Sequence, residues 1–329
     1  MSKYRTALPQ LNGQIFLTDG GIETTLIFHQ GFELPYFAAF DLLKNGEGRD
    51  GLHKYFLPYV EIAKKHGVGF VLESATWRAS PDWAEQLGYT PEALRAANRK
   101  AIELLREIHD EHETDETKLV ISGCVGPRGD GYSPDNLMTA DEAERYHSVQ
   151  IDTFAGTAAD MITAITMTHA EEAIGVTRAA KAAGMPVVIS FTVETDGKLP
   201  TGQTLKDAIE QVEAATHGGP AYYMINCAHT THFEGALAAG EQWTRRIRGF
   251  RANASRLSHA ELDEAVELDD GNPEEFGTQH RDLRSAFTHV NVFGGCCGTD
   301  HRHVEKVCRA IAATKRVGYA TMPLGECAE

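Results

Sequence analysis

The chain has 329 residues, 47 acidic and 31 basic side chains and a net charge of −16. That balance disfavours nucleic acid or an anionic membrane as a partner, because neither attracts a polyanion. The chain is long enough to bury a large core. It lacks both an apolar run of the roughly 20 residues that cross a bilayer and an N-terminal secretory pattern, so a cytoplasmic protein is expected.

From one end to the other, short apolar runs alternate with amphipathic segments, the pattern of βα units around a parallel sheet. The first strand is expected at 15–18, followed by a helix at 52–66. Strand 69–73 and helix 91–112 come next, then strand 119–123 and helix 140–158. Strand 161–166, helix 171–183, strand 187–192 and helix 205–216 continue the alternation. The last part reads as strand 222–226, helix 233–246, strand 247–251, helix 273–287, strand 290–293 and helix 301–315. The helix ends carry local signals. Asp141 and Glu142 fall in a first turn, Pro91 and Pro273 stand near helix starts, and Gly67 and Gly184 follow helix ends.

Eight strands with interposed helices and no linker or low-complexity break predict a single (βα)₈ barrel over 1–329. An open dinucleotide-binding sheet is disfavoured, because Asp19-Gly20-Gly21-Ile22-Glu23-Thr24 does not match its glycine fingerprint. Polar residues gather at the predicted C-terminal strand ends: Asp19, Ser74 and Thr76, Ser122, Thr166, Thr192, Asn226 with Cys227, Asn253, and Cys296 with Cys297. In a barrel that face carries the active site.

Cys296 and Cys297 lie in Phe293-Gly294-Gly295-Cys296-Cys297-Gly298-Thr299. Adjacent cysteines rarely bond to each other, and the flanking glycines let the backbone turn so that both sulfurs converge. Cys227 ends the sixth strand, one strand away from the pair in barrel order. Together they predict a three-thiolate site for a soft divalent ion, most simply zinc, with a fourth position open. Cys124, Cys308 and Cys327 read as small apolar filler.

These motifs resemble the homocysteine S-methyltransferase family. The likeness rests on Leu17-Thr18-Asp19-Gly20-Gly21, Ser122-Gly123-Cys124-Val125-Gly126-Pro127, Ile189-Ser190-Phe191-Thr192, Ile225-Asn226-Cys227 and the glycine-flanked cysteine pair. The resemblance implies a (βα)₈ barrel and a zinc ion on Cys227, Cys296 and Cys297. It also implies a thiol acceptor methylated by a sulfonium or quaternary ammonium donor, in the manner of methionine formation. A metal-bound thiol is deprotonated and so becomes the nucleophile. An onium centre has no N–H to donate and needs aromatic faces or carboxylates. Trp77 is the best cage candidate, with Phe28, Tyr36 and Phe191 behind it, and Thr76 beside it. Asp19 and Asn226 are expected to organise the substrate or the site.

Two departures stand out. Where the resemblance implies a Glu-Thr pair after the fourth strand, with the glutamate on the acceptor's ammonium, this chain has Ile165-Thr166. Glu73 or Glu194 is a candidate replacement, or the acceptor is another thiol. In place of a Pro-Asn-Ser-Gly-like run on the seventh strand stands Phe250-Arg251-Ala252-Asn253-Ala254-Ser255. Arg251 then either binds a substrate carboxylate bidentately or belongs to a solvated surface. The acidic loop 259–277 is expected to be solvated. His229, His232, His301 and His303 are candidates for outer contacts to the thiolates. A zinc-dependent hydrolase or lyase and a non-catalytic zinc or redox sensor remain open as other uses of this site. A homo-oligomer is also allowed.

Overall fold

The computed structural model describes residues 2–132, 137–238 and 240–317, the last five by backbone alone. Cys327 lies outside them. Eight parallel strands close into a barrel in chain order, β1 to β8. They are β1 Phe16–Leu17, β2 Gly69–Glu73, β3 Leu119–Val125, β4 Met161–Met167, β5 Val187–Phe191, β6 Tyr222–Asn226, β7 Ile247–Ala252 and β8 Val292–Gly295. Closure runs through Phe16 opposite Val292 and Leu17 opposite Phe293.

Seven long helices wrap the barrel: α1 Gly46–His66, α2 Pro91–His112, α3 Ala140–Ala155, α4 Ala170–Ala182, α5 Leu205–Thr216, α6 Pro273–Ala286 and α7 His301–Val317. Each begins or ends where the side chains dictate. Asn45 caps α1 by accepting from the Gly48 amide, and Gly67 ends it at φ +60°. Thr139 and Glu142 form a reciprocal capping box on α3. No described helix is long and apolar enough to cross a membrane.

The helix expected at 233–246 does not form. A single turn at Thr230–Phe233 passes into a 3₁₀ turn at Glu234–Ala236, and a second 3₁₀ turn, Trp243–Arg246, leads into β7. Gly240 explains the break, since its φ of +95° reverses the chain where a helix would need a right-handed residue.

Because side chains alternate along a strand, each strand sends every second residue into the barrel. The lower inward layer is apolar: Phe16, Val71, Val120, Met161, Val188, Tyr222 and Val292 pack together as one cluster with Leu8 and Met224. Gln10, on a 3₁₀ turn beneath the barrel, faces this floor with Nε2 3.4 Å from the Tyr222 hydroxyl. One pleat higher the same strands carry Glu73, Ser122, Thr163, Ser190 and Gly294, and higher still Cys124 and Asn226. The barrel is thus dry at its floor and polar at its mouth.

Candidate active site

The mouth is built around three sulfurs. Cys227 leaves β6 at φ +58°, an unusual conformation for a non-glycine residue. Its amide donates to the Arg251 carbonyl at 3.1 Å, and the Cys296 amide donates to the Ala252 carbonyl at 2.8 Å. Both motifs are therefore stitched to β7 between them. The Sγ atoms of Cys227, Cys296 and Cys297 all lie within 4.8 Å of one another, with Cys227 and Cys297 at 3.5 Å. The glycines make this approach possible: a Cβ on Gly294 would lie 1.9 Å from Thr18 Oγ1, and one on Gly21 would lie 2.7 Å from the Cys296 carbonyl oxygen.

Asn226 braces the cluster from below. Its Oδ1 accepts from the Thr166 amide at 2.8 Å and the Ser190 hydroxyl at 2.7 Å, while its Nδ2 donates to Thr166 Oγ1 at 2.9 Å. Thr166, like Cys227, is left-handed, with φ +61°. Nδ2 also lies 3.8 Å from Cys296 Sγ. Hydrogen bonding with Cys227 and Cys297, aided by the nearby Arg251 guanidinium, holds the Cys296 thiol well below its ordinary pKa.

Two residues that the sequence did not single out complete the cluster. The Tyr132 hydroxyl lies 2.7 Å from Cys227 Sγ and 3.9 Å from Cys297 Sγ. Its ring packs on His259 with centroids 4.3 Å apart. His259 in turn contacts the Cys227 carbonyl and places Nδ1 3.0 Å from Glu194. Tyr132 comes from the loop after β3 and His259 from the loop after β7, and neither sits in a recognisable motif. Among the four histidines expected near the thiolates, His229 bonds Thr231, His232 the Arg256 carbonyl, and His303 the Asp270 carbonyl and Asp300. His301 meets the edge of the Tyr59 ring.

Beside the sulfurs opens a cleft lined by Asp19, Glu23, Glu73, Trp77, Tyr132, Ile165, Arg251, Cys296 and Cys297 among others. Arg251 lies at its base, only 3% exposed. Its Nη2 donates to Asp19 Oδ1 at 2.6 Å, its Nη1 to Glu73 Oε2, and its Nε to the Gly295 carbonyl at 3.2 Å. Tyr55 donates to the second Asp19 oxygen at 2.9 Å. Burial, only partly offset by Arg251, raises the Asp19 carboxyl to about 6, and burial raises Glu23 to about 8.

These contacts place the expected site residues. Arg251 is not a surface residue: it is buried, lines the cleft and pairs with Asp19 and Glu73. Thr76 is fully buried, donates to the Cys124 carbonyl at 2.7 Å and does not line the cleft. Asn226 likewise acts from beneath the cleft and not on its wall. Trp77 does line the cleft, but its expected companions do not gather there: Phe28 and Tyr36 are about half exposed and Phe191 is stacked on Tyr223 in the core. The Arg78 guanidinium instead lies 4.9 Å from the Trp77 ring and 4.1 Å from the Trp83 ring. The acidic segment 259–277 is largely exposed, as expected, but it is not all loop: it opens on a helical turn at His259–Asp263 and ends in the first residues of α6.

The donor set fits a zinc ion. Sulfurs held at about 2.3 Å around a tetrahedral centre are roughly 3.8 Å apart, close to the spacing of these three, and all three are free thiols.

The sequence model described as homocysteine S-methyltransferase matches residues 16–311. Betaine–homocysteine S-methyltransferase 1 of Rattus norvegicus is 24% identical over 331 residues, covering 94% of this chain and 75% of the rat protein. The Bos taurus protein of the same name is 23% identical, covering 93% and 74%. Among solved structures, the metallated form of the homocysteine methyltransferase MmuM from Escherichia coli shares the fold at a TM-score of 0.71 and 19% identity, covering 93% of this chain and 99% of that one. Its apo form aligns at a TM-score of 0.65. With the closed barrel and a family match that runs from β1 into α7, the chain belongs to the homocysteine S-methyltransferase family.

Proposed function

We propose that this protein is a zinc-dependent S-methyltransferase that moves a methyl group from a sulfonium or quaternary ammonium donor to the thiol of homocysteine, forming methionine in a reducing cytoplasm. The observation that carries the reading is the convergence of Cys227, Cys296 and Cys297 within 4.8 Å at the edge of a cleft that also holds Asp19 and Glu73. Zinc on these sulfurs supplies a position at which a substrate thiol becomes a thiolate at neutral pH.

The rest of the chemistry belongs to the chain. Asn226 and the glycines fix the sulfurs so that the site is formed before substrate arrives. Asp19, held by Arg251 and Tyr55, sets the electrostatics of the cleft. Ile22, Phe37, Ala75, Trp77 and Ile165 supply apolar wall area. The thiolate attacks the donor methyl carbon, a new S–CH₃ bond forms, and the old bond leaves with its electron pair on a neutral sulfide or amine. An onium centre and a thiolate become two uncharged groups, so a pocket with little water favours the transition state over the separated charges. The all-thiolate set favours this reaction over hydrolysis, for which histidine and carboxylate ligands are usual.

The test is a screen of thiols against betaine, S-methylmethionine and dimethylsulfoniopropionate with zinc-loaded protein, read by mass spectrometry. Methionine formed from homocysteine with at least one donor is expected. Full zinc content with no methylated thiol from any pair would defeat the reading in favour of a sensor.

A further inference from the structure

We infer that Glu73, at the top of β2, binds the ammonium group of an amino-acid thiol in this cleft. The inference rests on the proposed methyl transfer for its substrate class. Glu73 Oε2 accepts from Arg251, whereas Oε1 is buried and has no hydrogen-bond partner among the described residues; Glu73 itself is one of the residues that line the cleft. A buried carboxylate oxygen without a donor is costly, and on a residue of a binding cleft it is a place for a donor carried by a ligand.

The charge balance says what kind of donor. At the base of the cleft one guanidinium, Arg251, faces two carboxylates, Asp19 and Glu73, so one negative charge is uncompensated when both are ionised. A primary ammonium supplies both the missing positive charge and an N–H for Oε1. A quaternary ammonium or a sulfonium supplies the charge without the N–H. Glu73 therefore favours the acceptor's amine over the onium centre of a donor that has no amine of its own, such as betaine or dimethylsulfoniopropionate.

Glu23 also lines the cleft but lies outside the Arg251 cluster, and Asp19 and Glu194 fit this role less well. Both Asp19 oxygens are already engaged, by Arg251 and Tyr55. Glu194 is bound to His259, is a third exposed and does not line the cleft. Near the end of β4, Ile165 presents an apolar side chain to the same space. A single glutamate on β2 thus provides the carboxylate that β4 lacks.

Calorimetry on the zinc-loaded protein with homocysteine and with 4-mercaptobutanoate, the same thiol acid without its amine, tests the assignment. The wild type is expected to prefer homocysteine by about tenfold or more, and Glu73→Gln to reduce that preference to within about threefold while binding 4-mercaptobutanoate as before. Equal binding of the two thiols by the wild type would overturn it. So would a preference retained in Glu73→Gln, or an equal loss of both thiols, which marks a purely structural role. Glu73→Asp keeps the charge and shortens the reach. If the glutamine variant does not fold, the aspartate variant decides, and an undiminished preference there overturns the inference. A wild type that keeps the preference yet methylates no thiol defeats the reaction and leaves the Glu73 assignment standing.

Discussion

The floor and the mouth of this barrel are made by the same strands two to four residues apart, yet they are different materials. At the floor, Val71, Val120, Met161, Val188 and Val292 fill the interior with apolar volume. At the mouth, Glu73, Ser122, Thr163, Ser190 and Asn226 replace them and make directional contacts. A floor residue contributes in proportion to the volume it fills, so neighbours can relax around its loss. A mouth residue contributes through named partners, and its loss strands them. Stability and chemistry are thereby separated along one axis, as barrels allow.

Substitutions at the two levels should separate in the same way. The largest effect is expected at Cys227→Ser: zinc in the purified protein falls well below one equivalent and methyl transfer drops by more than about 100-fold, since even outer contacts to a metal are worth 10–100-fold. Metal analysis and a turnover assay read both. Retained zinc would remove Cys227 from the ligand set. Next is Arg251→Met, which leaves Asp19 and Glu73 buried without their cation and is expected to cost about 3–5 kcal/mol in denaturant unfolding. A cost under about 1 kcal/mol would mean that water or protons already compensate the carboxylates.

At the floor, Met161→Ala is expected to cost about 3 kcal/mol through lost burial and cavity formation. Turnover per folded molecule should stay within about twofold, and a larger change would show that floor and mouth are not independent. Outside the barrel, fully buried His280 on α6 serves as a reference. Burial lowers its pKa to about 4. The unfolded chain takes up this proton as pH falls below about 6.5. The native state resists it, so stability is full above that pH and declines as pH drops toward 4. His280→Leu should flatten that slope, by about 2 kcal/mol between pH 7 and 5, in unfolding series across pH. An unchanged slope would assign acid sensitivity to other groups. Smallest is Tyr132→Phe, with stability changed by less than about 1 kcal/mol and zinc retained, while thiol affinity shifts measurably in calorimetry. Loss of zinc there would give the phenol a larger share in holding the cluster.

Much of the barrel could be read from the chain because its strands are short apolar runs bounded by helix signals, and because Gly294-Gly295-Cys296-Cys297-Gly298 has few uses other than converging two sulfurs. The barrel order then placed Cys227 beside the pair. The failed helix at 233–246 shows the limit of that reading: an alanine-rich stretch looks helical, but Gly235 and Gly240 recur within it and the chain turns at Gly240. The site was less legible than the fold. Whether Arg251 faces solvent or the barrel interior depends on strand parity at β7, where a register shift follows Tyr223 opposite Ile247. Tyr132 reaches Cys227 Sγ from a loop, and His259 reaches the Cys227 carbonyl from a single helical turn after β7, segments in which no periodicity reports direction.

The paired left-handed residues Thr166 and Cys227 have a consequence for how this site can change over generations. Both conformations are costly for residues with a Cβ, on the order of 1 kcal/mol or more each, and the Asn226 side chain spans the gap between them. Position 166 has an escape, because glycine adopts that backbone freely. Position 227 has none, because glycine carries no sulfur. Of the two strained positions only 166 is therefore open to exchange, while Asn226 stays tied to Ser190 and against Cys296 whichever residue stands there.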